Sequence, residues 1–277
     1  MKDYLFNSTL KIFLYIILCA GIIIPYKVYA LDLSIGATMW YAQMDQEYTK
    51  NIDPSRSFKT ENGGQFFFMG PALGVKFNDD FSLTFIYLYG ATTITEIETI
   101  YPYQNDCHFK RHDADFALSY SLNNYFRVFT GIKYINYSID CGKPESSAGN
   151  IIKRDHSGFG PGLGLSAIFP IFENLFLLAN LSGFCLLINK ESAKYYDPGS
   201  NPASLRPKSN DYGINSGLAL AYHIAPVSTT INLGGRFQYI RTVYSGDRDL
   251  NAGLYYNHNA SMFYGVTLAA TYFFKKL

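Results

Sequence analysis

Apolar residues recur at every second position along ten separate stretches of this 277-residue chain. In an extended strand successive side chains point to opposite faces, so each such stretch has one apolar face and one polar face. The first one shows the rule: Leu31, Leu33, Ile35, Ala37, Met39 and Tyr41 lie on one side, and Asp32, Ser34, Gly36 and Thr38 on the other. Beyond the N-terminus no run of 18 apolar residues occurs, which excludes a spanning helix there. Ten half-apolar strands are satisfied together when the sheet closes on itself with lipid outside. The expected fold class is therefore all-β: a closed antiparallel transmembrane β-barrel of about ten strands, with a periplasmic barrel or a secreted soluble sandwich as the alternative, since alternation alone does not name the solvent on the apolar face.

The same division can be followed along the chain. Outward positions are expected at Phe67, Met69, Leu73, Val75 and Phe77, then at Phe81, Leu83, Phe85, Tyr87 and Tyr89. The next two stretches put Ala114, Phe116, Leu118 and Tyr120 outward, followed by Phe126, Val128, Ile132 and Tyr134. Phe159, Leu163, Leu165 and Phe169 oppose an inward stripe of Gly158, Gly160, Gly162 and Gly164. Leu175, Leu177, Ala179 and Leu181 form a less distinct face, because Phe176 and Leu178 are apolar too. The last three stretches turn Tyr212 to Tyr222, Ile231 to Tyr239 and Met262 to Phe274 outward on alternate residues.

Connections alternate between tight and long, as a barrel with turns on one rim and loops on the other requires. The tight ones centre on residues 78–80, 123–124, 170–174 and 225–226, and the longest runs over residues 189–210. Directly opposed residues of a hairpin share a face, so parity tests each turn. If Asn123, Asn124 and Tyr125 form a three-residue turn, opposed positions sum to 248. Asp115 then faces Lys133, and Cys107 faces Cys141. A disulfide between those two cysteines is expected if the chain is exported to an oxidising compartment. Cys185 falls on the lipid face, where it serves as a small apolar residue.

Export is written at the N-terminus. Lys2 and Lys11 precede an apolar run over residues 12–24, and Pro25 and the pattern Val28, Tyr29, Ala30 follow. These are the zones of a cleaved signal peptide, and 13 apolar residues are too few to span a bilayer. The expected organisation is a signal peptide over 1–30 and a single barrel over 31–277. Removing Lys2, Lys11, Lys27 and Asp3 turns 23 cations and 22 anions into 20 and 21. That balance excludes the electrostatic footprint of a nucleic-acid binder.

Several charges fall on inward faces: Asp32, Lys76, Arg111, Asp113, Asp115, Arg127, Lys133 and Arg236. Charges facing a narrow lumen are expected to pair into an ion network. The inward glycines of the 158–164 stripe, with Gly213 and Gly217, either open a path or make room for Trp40, Phe129 or Phe184.

The export signal, the ten alternating stretches and the aromatic C-terminal series Tyr264, Val266, Leu268, Ala270, Tyr272, Phe274 resemble bacterial outer-membrane β-barrel proteins of the small porin-like and surface-protein kind. The resemblance implies an outer-membrane location, lipid as surroundings and assembly by the barrel-insertion machinery. It implies first a narrow passive porin-like channel for small solutes, and as the alternative a non-conducting surface scaffold whose long extracellular loops mediate adhesion or partner binding. Asp113, Ala114 and Asp115 also resemble the paired aspartates of omptin-like outer-membrane proteases, a family that sets an Asp-His couple on the opposite wall. Here Asp211 is followed by Tyr212 and Gly213, without that His, and His156 sits in a different stretch. No enzymatic chemistry, metal site or cofactor is therefore expected.

Overall fold

The computed structural model describes residues 32–50, 57–62, 64–98, 104–141, 150–196, 203–205, 209–244 and 256–274. The proposed signal peptide lies outside them. Thirteen strands follow in chain order: β1 (Asp32–Lys50), β2 (Ser57–Asn62), β3 (Gln65–Lys76), β4 (Phe81–Glu98), β5 (Gln104–Ser121), β6 (Phe126–Asp140), β7 (Asn150–Phe172), β8 (Leu175–Leu186), β9 (Ile188–Tyr196), β10 (Ala203–Leu205), β11 (Ser209–Ile224), β12 (Thr229–Tyr244) and β13 (Tyr256–Phe273).

Ten of these make the wall. Each of β1, β3, β4, β5, β6, β7, β8, β11, β12 and β13 pairs antiparallel with the wall strand before and after it, and β13 returns to β1. Closure leaves no unpaired edge, the condition that lets a sheet cross hydrocarbon. The other three strands extend the outer rim. β2 pairs with both β1 and β4, β9 with β7, and β10 with β9. The stretch over residues 189–210, expected as a loop, therefore contains β9 and β10. The reason is length: β7 has 23 residues and β8 has 12, so β7 outruns its neighbour and β9 supplies its remaining backbone partners.

The register of β5 with β6 sums to 248 throughout, from His108 opposite Asp140 to Ser121 opposite Arg127. Asn123 secures the turn by accepting the backbone N–H groups of Tyr125 and Phe126, both at 2.8 Å. Asn78 does the same for Asp80 and Phe81 at 2.9 and 2.7 Å. Both are side-chain turns of the kind short polar residues favour. Two turns differ from expectation. Between β11 and β12 the connection runs over residues 225–228, with Ser228 left-handed at φ 48°. Between β7 and β8 it is only residues 173–174. There β7 continues through Pro170, whose missing N–H is absorbed by a register shift between Pro170 and Phe172.

Around the wall an apolar belt faces outward, including Ile35, Met69, Phe116, Leu163, Leu181, Leu218, Leu233 and Val266, with Leu163 reaching 67% exposure. Each such side chain would forfeit about 1.5–3 kcal/mol in water relative to an apolar surrounding. A continuous ring of them requires lipid. Inside, the outer half of the lumen is filled. Trp40, Met44, Phe66, Phe68, Leu88, Phe109, Ile139 and Phe263 form one buried cluster, with the Phe66 and Phe263 ring centres 5.9 Å apart and edge-on. The inward glycines give these rings room. A side-chain carbon on Gly164 would collide with Phe129, and one on Gly213 with Phe184. Of the three aromatics expected to need such space, these are the two that use it; Gly90 accommodates Phe68 in the same way.

Candidate functional site

Depth in the lumen can be read down the β5–β6 hairpin. Cys107 and Cys141 are joined by a disulfide at its outer end. Below them, inward-facing residues descend through Phe109, Arg111, Asp113 and Asp115 on β5, and through Ile139, Tyr137, Ile135 and Lys133 on β6. Alternation thus delivers an apolar layer first and a charged layer under it.

In the charged layer Arg111 donates to both carboxylate oxygens of Asp113, from Nε at 2.7 Å and Nη2 at 2.8 Å. The same guanidinium reaches across the barrel to donate to Gln238 of β12. It lies over the Phe263 ring, 4.1 Å from the centroid. Lys133 Nζ donates to Asp115 at 2.7 Å and stands 3.9 Å from Asp113. From the opposite wall Arg236 comes within 3.8 Å of Asp115 while its guanidinium covers Trp40 at 4.6 Å. Arg111, Asp113 and Lys133 are all under 4% exposed. Burial strengthens these contacts, and each charge costs heavily if its partner is removed.

Five of the eight inward charges anticipated from parity meet in this layer: Arg111, Asp113, Asp115, Lys133 and Arg236. The other three do not. Asp32 and Lys76 oppose each other at the tight-turn rim. There Lys76 reaches into the turn to Asp79 at 2.7 Å, because both sit at strand ends where solvent is closer than the network. Arg127, second residue of β6, stands at the same rim, well below Lys133.

A further pair escaped sequence reasoning. His156 Nε2 and Asp211 Oδ2 are 2.6 Å apart and buried, and the His156 ring stacks on Tyr137 with centroids 4.6 Å apart. Parity places both residues inward, yet they belong to β7 and β11, with β8 between them. On the lumen face Asp211 stands opposite Leu186, the last residue of β8, and His156 opposite Glu191 of β9, which takes over from β8 along β7. The signal in the sequence was the inward parity of both residues.

No protein-family model matches the sequence, and no curated protein does. The structure is similar to the outer membrane protease OmpT from Escherichia coli, at TM-score 0.50 and 11% identity, over 90% of this chain and 98% of that one. A weaker likeness is to the beta domain of the Bordetella autotransporter BrkA (TM-score 0.44, 10% identity, 89% of this chain and 100% of that one). Another is to a major outer membrane protein from Thermus thermophilus (0.42, 13%, 89% and 100%). The fold is that of a bacterial outer-membrane β-barrel. Together with the lipid-facing belt, that fold places the protein in such a membrane; barrels of this kind set their tight turns on the periplasmic side and their longer loops outside.

With that orientation the lumen divides into two parts. The outer part holds the aromatic cluster and the charged layer. Toward the periplasm a cavity of about 470 Å³ remains, bounded above by Lys133, Phe184 and Arg236 and extending to Ser82, Ser119 and Arg127 beside the tight turns. Cys185 lies outward as expected, half-buried and outside any disulfide among the described residues.

Proposed function

We propose that the protein is a closed, non-conducting outer-membrane platform whose outer rim engages an extracellular ligand. The observation that carries this reading is the wall-to-wall layer in the lumen. Arg111 bonds to Gln238, Arg236 approaches Asp115, and Phe66 packs against both Phe109 and Phe263. A void between Phe109, Arg111, Tyr137, Ile240 and Phe263 in this layer measures about 10 Å³, at the lower limit of what one water needs. A ten-stranded barrel has a narrow interior that side chains readily fill, which argues against the small-solute channel that the sequence pattern first suggests. The rim strands β2, β9 and β10 extend the wall beyond the belt, which suits a surface role. During biogenesis, the outward aromatic series on β13 fits recognition by barrel-assembly machinery.

A protease reading draws on the likeness to OmpT and on the His156–Asp211 pair. Two features weigh against it. Both oxygens of Asp113 are taken by Arg111, so that carboxylate is not free to act as a base. The His156 and Asp211 side chains are at most 2% exposed, leaving no room for a peptide beside them.

Planar-bilayer recording of the purified, inserted barrel tests the proposal. The expected result is no reproducible conductance across salt and voltage. A steady channel whose ion selectivity shifts toward cations when Lys133 is neutralised would overturn it and restore the porin reading.

A further inference from the structure

The periplasm-facing cavity has a composition that closing the lumen does not require. Its wall carries three cations, Arg127, Lys133 and Arg236, against one carboxylate, Asp115. Lys133 and Arg236 share that carboxylate, at 2.7 and 3.8 Å. Arg127 has no hydrogen-bond or ion-pair partner among the described residues. The wall is thus left with two uncompensated positive charges in a cup whose low-dielectric sides focus the field. Two further wall residues, Asn215 and Asn232, each hold a buried side-chain oxygen without a hydrogen-bond partner. Buried polar atoms are normally satisfied, and orphans at a cavity wall call for a polar occupant.

We propose that this cup binds a small, hydroxylated anion entering from the periplasm. The anionic group answers the excess charge, led by Arg127 at the mouth and Arg236 at the closed end. Hydroxyl groups answer Asn215 and Asn232, to which they can donate. The volume, about 470 Å³, is that of a small-molecule site. The barrel is closed above it, so exchange is one-sided; only that feature rests on the non-conducting reading.

Equilibrium dialysis of the detergent-purified barrel with radiolabelled glycerol phosphate tests the site, with inorganic phosphate and glycerol as separate arms. Saturable binding of glycerol phosphate is expected, with weaker binding of phosphate and none of glycerol. Arg127→Gln should weaken it about tenfold or more, the equivalent of one charge-assisted hydrogen bond. Arg127 supports no other side chain among the described residues, so this variant should fold; Arg236→Gln provides a second, independent loss. Absence of saturable binding, binding unchanged in both variants, or glycerol binding as well as its phosphate would each overturn the proposal. A conducting barrel that still binds the anion would defeat the closed reading and leave this site standing, while a silent barrel that binds nothing would do the reverse.

Discussion

Replacing Arg111 by Met keeps most of the apolar volume in the lumen and removes only the charge and its hydrogen bonds. Asp113, 2% exposed, then loses both of its close donors, at 2.7 and 2.8 Å. The remaining cation, Lys133, stands 3.9 Å from it and is already committed to Asp115 at 2.7 Å. Breaking a buried pair from one side costs about 3–5 kcal/mol. Loss of the cation over Phe263 adds on the order of 1 kcal/mol, and Gln238 also loses its donor. A destabilisation of at least about 4 kcal/mol is expected. Arg111→Met combined with Asp113→Leu removes both charges, and should return to within about 2 kcal/mol of wild type. Urea unfolding in lipid vesicles can be followed by Trp40, the single tryptophan of the chain and 1% exposed. If the single variant fails to fold, the double variant still provides the comparison. A single variant within about 1 kcal/mol of wild type, or a double variant no better than the single, would refute the account of the layer as a mutually dependent ion network.

Gly213→Val should cost about 1–3 kcal/mol through collision with Phe184, whereas Gly183→Ala, where a new carbon meets nothing nearer than 3.8 Å, should be near neutral in the same unfolding assay. Cys141→Ser should lower stability by about 3–4 kcal/mol, because it frees a segment of sequence separation 34 in the unfolded chain. Nonreducing peptide mapping of wild type should recover Cys107 and Cys141 in one linked peptide, and two free thiols would contradict the hairpin register. Intact-mass analysis of the mature protein should place its N-terminus at Leu31; retention of residues 1–30 would reject the export signal.

Strand number, facing and pairing were legible because a lipid-facing barrel imposes period two on every wall strand. Parity then limits the turns. One assumed three-residue turn at Asn123 was enough to oppose Asp115 with Lys133 and Cys107 with Cys141, since register propagates rigidly along a hairpin. The sequence by itself therefore determined which side chains enter the lumen. It could not determine which of them meet across it. Arg111 with Gln238, separated by 127 residues, and His156 with Asp211, separated by 55, belong to strands that do not pair. Their contact depends on barrel curvature and on strand stagger. For the same reason Asp32, Lys76 and Arg127 could not be separated from the network by parity. Facing is a property of one strand and is encoded locally, whereas depth and opposition belong to the closed sheet, and only the tertiary structure decided that the aromatic cluster and the charged layer share one level of the lumen while a cavity of about 470 Å³ lies between them and the tight turns.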